Sequence, residues 1–294
     1  MSYIIIAALA VLVILFVYSQ SSGYNIVEYH LDTHKDIRTP VRFVMLSDLH
    51  NTDVTHDHNR RLVESIEALS PDFVILAGDM ITSYLEPVSS SQKAYELLSE
   101  LSKRFKVYYG LGNHEQRYRE EPSKFPGRFD ELEDHVKSLG IEFLSDAYCD
   151  VADTGIRIYG FDIPIDNYKR AVRTHLPKDI LKDVFGDADK DRYDILIAHA
   201  PDHFDDYAAW SPDLVLSGHL HGGMIAIPGI GGVISPQLKL FPKYDFGKYT
   251  KGDTTMIVSR GIGWHSIPIR IFNKAEIVLI TIGSADEVND GDQC

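Results

Sequence analysis

Residues 3–18 form an apolar run with no charged side chain and no polar face. As a helix rising 1.5 Å per residue, the run is slightly shorter than the roughly 20 residues that cross a bilayer. Met1, Ser19 and Ser21 extend it. A secretory signal would carry a basic leader and a small-residue cleavage site. Met1-Ser2 offers no basic side chain, and Ser19-Gln20-Ser21-Ser22 is a poor cleavage match. The run therefore predicts an uncleaved membrane anchor over residues 1–23. Lys35, Arg38 and Arg42 follow it, interspersed with Glu28, Asp32 and Asp36. The positive-inside bias then leans toward a cytoplasmic body.

Beyond the anchor the pattern alternates between short apolar runs and helical spacing. Residues 41–46, 73–77 and 106–109 read as strands, and residues 193–198 and 213–216 as later ones. Leu62, Ile66 and Leu69, with Val63 beside them, recur at helical spacing. So do Tyr95, Leu98 and Leu101, and then Phe129, Leu132, Val136 and Leu139, where Gly140 ends the helix. Asp153-Thr154-Gly155 reads as a hairpin turn between residues 149–152 and 156–161. Strands alternating with helices predict an α/β layered core over residues 24–284, without internal repeats. Residues 285–294 are polar and acidic and read as a disordered tail.

Composition changes this picture in three ways. Twenty-nine Lys and Arg against 43 Asp and Glu give a net charge of −14, which argues against a general grip on nucleic acid. The cysteines, Cys149 and Cys294, make no disulfide framework. Thirteen histidines in so acidic a chain direct attention to where they fall.

They fall after strands. The five apolar runs are followed by Ser47-Asp48-Leu49-His50, Gly78-Asp79, Gly112-Asn113-His114-Glu115, His199, and Gly218-His219-Leu220-His221-Gly222-Gly223. Sites in open α/β sheets form at the carboxyl ends of strands. Asp48, His50, Asp79, Asn113, His199, His219 and His221 are all metal-donor types. Mixed carboxylate, amide and imidazole donors suit Mn, Fe, Zn, Co or Ni better than calcium. Asp-x-His and His-x-His place two donors on one side of an extended segment. Seven donors exceed one tetrahedral ion and suit two ions sharing a carboxylate. Each piece alone has a plainer reading: Gly-Asp is commonly a turn, His199 a satisfied core histidine, Gly-Asn-His-Glu a helix start with Asn113 as its cap. Gly-His-x-His-Gly-Gly is more specific, and the ordered set makes the plain readings poor.

Taken together, these blocks resemble the five signature blocks of the calcineurin-like metallophosphoesterases, from about residue 42 to about residue 282. Ser259-Arg260-Gly261-Ile262-Gly263 and Pro268-Ile269-Arg270 resemble the branch of small, often membrane-associated bacterial phosphoesterases. Its members include enzymes acting on UDP-2,3-diacylglucosamine. The resemblance implies a four-layer α/β/β/α sandwich with two metals at one sheet edge. It implies Asp48, His50 and His221 on the first metal, Asn113, His199 and His219 on the second, and Asp79 bridging. It further implies His114 near the leaving group, oriented by Glu115.

Two cations about 3.5–4 Å apart lower the pKa of bound water and offset transition-state charge, which suits in-line attack on a phosphoester. An imidazolium at His114 would hydrogen-bond or protonate the departing oxygen. Asn113, being an amide, keeps one negative charge out of the site. The protein phosphatase branch has a further Asp and Arg after Gly-Asp, where Met80-Ile81-Thr82 stands here, so protein phosphoserine is disfavoured. Met224 stands where many relatives have Gln. Arg117 is a candidate substrate contact, and Arg119 a weaker one. His56 and His58, near Asp53 and Asp57, read as an exposed helix start rather than a third metal site. His203 has no assignment, His265 is a cleft candidate beside Trp264, and residues 228–232 read as a loop.

The expected function is a membrane-anchored, dinuclear phosphodiesterase or pyrophosphatase acting on a phosphoester, lipid-linked in the reading that the anchor favours. The alternatives are a non-catalytic scaffold of the same fold, and a nuclease, which would need basic loops.

Overall fold

The computed structural model describes residues 2–38, 40–83, 91–169, 174–223, 226–227, 231–233, 241–264 and 270–284. Met224, Pro228, His265, Pro268, Ile269 and the tail 285–294 lie outside the described residues. Helix α1 (Ser2–Ser21) is followed by strand β1 (Tyr24–Thr33). Then come β2 (Val41–Leu46), α2 (Arg60–Ala68), β3 (Phe73–Ala77), α3 (Gln92–Ser102) and β4 (Lys106–Gly110). Helices α4 (Asn113–Glu120) and α5 (Arg128–Ser138) lead to β5 (Glu142–Leu144). The second half holds β6 (Ala147–Val151), β7 (Ile156–Gly160), α6 (Ile180–Phe185), β8 (Tyr193–Ile197), α7 (Phe204–Trp210) and β9 (Leu214–Ser217). It ends with β10 (Ala226–Ile227), β11 (Gly231–Gly232), β12 (Gly247–Lys251), β13 (Thr254–Val258) and β14 (Ala275–Ser284).

Two six-stranded sheets result, ordered β1-β14-β2-β3-β4-β5 and β12-β13-β9-β8-β7-β6. Strands β2 to β5 pair in parallel, as do β7, β8, β9 and β13. Parallel strands covered on both faces read as unbroken apolar runs, which is why all five residues of β3 are buried. Side chains alternate faces along each strand, and the core divides accordingly. Val44 and Leu46 join Leu62, Leu97, Leu98 and Leu132 beneath the helices of the first sheet. Phe43 and Met45 point the other way, into a second core with Ile195, Ile197, Leu214 and Leu216. Leu196 and Val215 enter a third core with Leu181, Phe204 and Tyr207. The mixed α/β fold expected from the sequence is present, with its apolar residues in three core clusters. In the second cluster Phe43 stacks on Phe73 with centroids 5.0 Å apart, and Phe73 meets the edge of Tyr108 at 5.4 Å. Such pairs add about 0.5–1.5 kcal/mol each beyond burial.

The expected hairpin is present as antiparallel β6 and β7, turned by Asp153 and Gly155 at positive φ. The segment read as a loop at 228–232 differs at its end: Gly231 and Gly232 pair antiparallel with Ile227 and Ala226. Helix α1 is long and apolar enough to cross a membrane, and Leu9, Ile14 and Leu15 on it are exposed. Its foot is fixed to the body. Ser21 Oγ accepts from the Arg270 amide at 3.0 Å and donates to the Arg270 carbonyl at 3.2 Å. Phe16 meets Phe272 edge-on at 5.6 Å.

Candidate metal centre

The loops after β2, β3 and β4 of one sheet and after β8 and β9 of the other meet at a single rim. Backbone hydrogen bonds lace them together. The amides of Asp48 and His50 donate to the carbonyls of Gly78 and Asp79, each at 3.0 Å. Gly218 donates to the His199 carbonyl at 3.0 Å, and Gly263 to the Asp48 carbonyl at 2.9 Å. All seven expected donor residues are brought together and buried.

They are not presented by extended segments, as alternation had suggested. Asp48, His50, Asp79, His219 and His221 all have φ between 49° and 70°. Left-handed backbone costs an L-residue roughly 1–2 kcal/mol, and such strain concentrates at functional sites. The tight curl sends Leu49 and Leu220 into the interior and the flanking donors to the rim. Glycine permits the close approach. A Cβ on Gly218 would strike the Asp48 carboxylate, and one on Gly112 would strike that of Asp79.

Among the described residues the donors form three groups, Asp48 with His50 and His221, Asp79 with His199 and His219, and a linking group of His50, Asp79 and His114, each with donor atoms within 4.8 Å of one another. His221 Nε2 lies 3.3 Å from Asp48 Oδ1 and 3.0 Å from His50 Nε2. Asp79 Oδ2 lies 3.9 Å from His50 Nε2 and 3.1 Å from His199 Nε2, so it reaches both groups.

Asn113 lies against His219, its carboxamide 2.8 Å from Nδ1. Two features fit a cation rather than internal hydrogen bonding. His199 Nδ1 is 2.7 Å from the Ala77 carbonyl, so the ring proton sits there and the Nε2 lone pair faces inward. Nε2 is off the hydrogen-bond axis to Asp79. The field is also strong. Burial pushes Asp48 up to about 6. Burial opposes charge on Asp79 too, but His199 beside it holds that carboxyl well below the usual range. Burial would neutralise His199, yet Asp79 and Asp48 outweigh it and lift its imidazole to about 10. A field that holds a proton so firmly holds a divalent cation in competition with it.

Glu115 stands elsewhere than expected. Fully buried, its carboxylate accepts from the amides of Asp79 (3.0 Å), Met80 (2.8 Å), Ile81 (3.2 Å) and Gly112 (3.0 Å), and from the Tyr109 hydroxyl (2.8 Å). Burial and the Asp79 charge push it up to about 7 against the pull of these bonds. It shapes the Asp79 loop. His114 is oriented instead by Ser83, which sequence reasoning passed over because a lone serine carries no signature. The Ser83 amide donates to His114 Nδ1 at 2.8 Å, and its hydroxyl is 2.8 Å from the same atom. The His114 amide donates to Asp79 Oδ1 at 2.8 Å, so the start of α4 caps that carboxylate.

Arg117, one turn along α4, is half-buried, with Nη1 3.4 Å from Ser83 Oγ. Arg119 is committed elsewhere, to the buried Asp162 at 2.7 Å and Ser145 at 2.9 Å. His56 and His58 are exposed, and His58 pairs with Glu96 at 2.9 Å. His203 is buried with Nδ1 3.7 Å from Asp206 Oδ2. Tyr168, unmarked by any motif, packs edge-on against His219 at 5.0 Å.

Behind the site lies Arg270. Its guanidinium donates to the carbonyls of Arg260 (2.9 Å), Gly261 (3.2 Å), Gly263 (2.8 Å) and Asn273 (3.3 Å), and burial brings it down to about 10. The Asn273 amide holds the carbonyls of His221 and Gly223. Arg270→Met would strand four carbonyls under the Asp48 loop. We expect a loss of about 3–5 kcal/mol in chemical denaturation. A change within about 0.5 kcal/mol would refute this structural role.

The model of the calcineurin-like phosphoesterase family matches residues 41–223, more than half of the chain, and the chain belongs to that family. A transmembrane protein with a metallophosphoesterase domain from Danio rerio is 30% identical over 255 residues, covering 83% of this chain and 54% of that protein. An uncharacterised metallophosphoesterase of Campylobacter jejuni is 27% identical, covering 84% and 60%. One from Aquifex aeolicus is 27% identical, covering 92% and 97%. The chain thus spans little more than half the length of the Danio and Campylobacter relatives.

Proposed function

We propose that the chain is a metal-dependent hydrolase of phosphoric esters, a phosphodiesterase or pyrophosphatase, working with two divalent cations. The observation that carries this reading is Asp79, one carboxylate within 3.9 Å of His50 Nε2 and 3.1 Å of His199 Nε2. Asp48, His50 and His221 with Asp79 would hold one cation, and Asn113, His199 and His219 with Asp79 the other. Mn, Fe and Zn all accept this donor set, and availability selects among them. Cations bound there would supply Lewis acidity and a water ionised near neutral pH.

The chain's own residues do the remainder. Asp48 and Asp79 are the two carboxylates among the seven donors, so the loaded site is positive and draws a phosphoryl anion despite the net charge of −14. His114, held by Ser83 beside both groups, meets the leaving oxygen. Arg117 is the candidate for a further phosphate contact.

Helix α1 and the transmembrane relative favour a membrane-anchored enzyme and a lipid-linked substrate, such as a nucleotide-sugar lipid of the UDP-2,3-diacylglucosamine type. A short chain of hydrogen bonds supports this. Ser21 at the foot of α1 holds Arg270, Arg270 holds the Gly263 carbonyl at 2.8 Å, and Gly263 holds Asp48 at 2.9 Å. The detergent-solubilised full chain should then prefer lipid diphosphates, and a preference for soluble nucleotides would count against the lipid assignment.

Hydrolysis of bis-p-nitrophenyl phosphate with added Mn tests the activity itself. We expect turnover that chelator abolishes, and a fall of about 10²–10³-fold in Asn113→Ala and His114→Ala. No metal-dependent turnover on any phosphoester would leave a non-catalytic scaffold. Equal rates in wild type and variants would expose a contaminant.

A further inference from the structure

We infer that the body itself rests on the bilayer beside α1, through a small apolar face carried by Phe272 and Ile227. The partner of this face is the boundary between headgroups and acyl chains of a phospholipid surface. The inference rests on the reading of α1 as a membrane helix and goes beyond it, because an anchor alone would leave the body free to swing.

The level of the interface is legible along α1. Its apolar stretch runs to Val17 and gives way to Tyr18-Ser19-Gln20-Ser21-Ser22. Tyr18 is exposed, and aromatic rings with a polar tip mark the headgroup level of membrane helices. Phe16 precedes Ser21 by five residues, so it lies about 7.5 Å nearer the bilayer centre at 1.5 Å per residue. Phe272, a residue of the body, reaches this level. Its ring meets Phe16 at 5.6 Å, while Arg270 is bonded to Ser21 at the foot of the helix. The segment 270–273 therefore climbs alongside the last turns of α1, and Phe272 stands deeper than the polar end of the helix.

A soluble body would gain by burying this ring, yet Phe272 is 50% exposed and Ile227 is 40% exposed. The Ala226 amide donates to the Ile271 carbonyl at 3.1 Å, so Ile227 and Phe272 share one ledge. Phe272 has a φ of 53°. Left-handed backbone at a bulky residue is a strained exception that concentrates at functional positions. At Phe272 it holds the ring out while the next residue, Asn273, is buried.

Charge does not explain the contact. Beside the two side chains lies a cleft of about 710 Å³, lined also by Gln20 of α1 and by Asp245, Arg260 and Lys274. Its two cations are balanced by Asp245 and by the buried Glu276, 3.7 Å from Arg260 Nε. The chain as a whole carries −14, so anionic lipid offers it no general attraction. Apolar burial supplies the contact, and the balanced cleft suits a zwitterionic headgroup. Asn273, next to Phe272, holds the carbonyls of His221 and Gly223. The segment that meets the bilayer thus also braces the metal rim and fixes its height over the surface.

Tryptophan quenching tests this on the full chain in phosphatidylcholine vesicles. Trp210 and Trp264 are the two tryptophans, and Trp210→Phe with Trp264→Phe clears the background. Single reporters are Leu9→Trp, Phe272→Trp, Ile227→Trp and Tyr148→Trp, the last exposed on β6 at the far end of the second sheet. Lipid brominated at mid-chain should quench Leu9→Trp. Lipid brominated near the headgroup should remove about half of the emission of Phe272→Trp and of Ile227→Trp. Tyr148→Trp should stay bright, and added salt should change none of these values. A quenched Leu9→Trp with bright Phe272→Trp and Ile227→Trp would overturn the inference and leave the anchor standing. Emission from those two sites that is blue-shifted yet unquenched would also overturn it, with protein, such as a second copy of this chain, covering the face. A bright Leu9→Trp would refute the anchor and the inference with it. Two reporters on the face keep the test decisive if one substitution prevents folding.

Discussion

Asp79→Asn is expected to reduce kcat/KM on bis-p-nitrophenyl phosphate by more than about 10³-fold, and to lower the bound metal toward zero. Losing a single well-placed donor typically removes 10²–10³ in rate, and Asp79 serves two groups at once. Its Oδ2 faces His199 and His50, while Oδ1 accepts the His114 amide. The amide variant keeps the shape but halves the site's carboxylate charge, leaving Asp48 alone among the seven donors. Metal content by mass spectrometry and steady-state kinetics check both effects. Near-normal activity with two metals retained would show that Asp79 does not bridge.

Glu115→Ala is expected to destabilise the fold by more than about 4 kcal/mol. Five donors converge on this carboxylate, four backbone amides and the Tyr109 hydroxyl. Hydrogen bonds to a charged group contribute about 1.5–3 kcal/mol each, and donors left buried without a partner cost about 1–3. Water refilling the hole recovers part of this loss. Glu115→Gln should be milder, because one oxygen still accepts. Denaturant midpoints separate this role from catalysis. A folded, stable Glu115→Ala protein with a purely kinetic defect would restore Glu115 to the chemistry.

What the sequence made legible was local. Each donor sits within a few residues of an apolar strand, so motif and strand were read together, and the five loops meet as expected. The run at residues 3–18 and the turn at Asp153-Thr154-Gly155 are local signals too. What it hid was long-range. Glu115 sits in the Gly-Asn-His-Glu block and reads there as a helper to His114. Its partners come from the end of β4 and from the Asp79 loop, a closure that folding alone creates. Ser83 reaches His114 across 31 residues, and Ser21 reaches Arg270 across 249. The parallel pairing of β1 with β14 likewise joins the two ends of the body, which hydrophobic periodicity cannot foretell. The period-two argument for Asp48 and His50 reached the right grouping by the wrong geometry, since left-handed turns, not an extended strand, aim both donors at the rim.

The proposed chemistry turns on one carboxylate, Asp79, shared by two cations. Electron paramagnetic resonance of the Mn-loaded full chain tests it most directly. We expect two Mn per chain with an exchange-coupled spectrum that Asp79→Asn abolishes. An uncoupled single-ion spectrum at saturating Mn would contradict it.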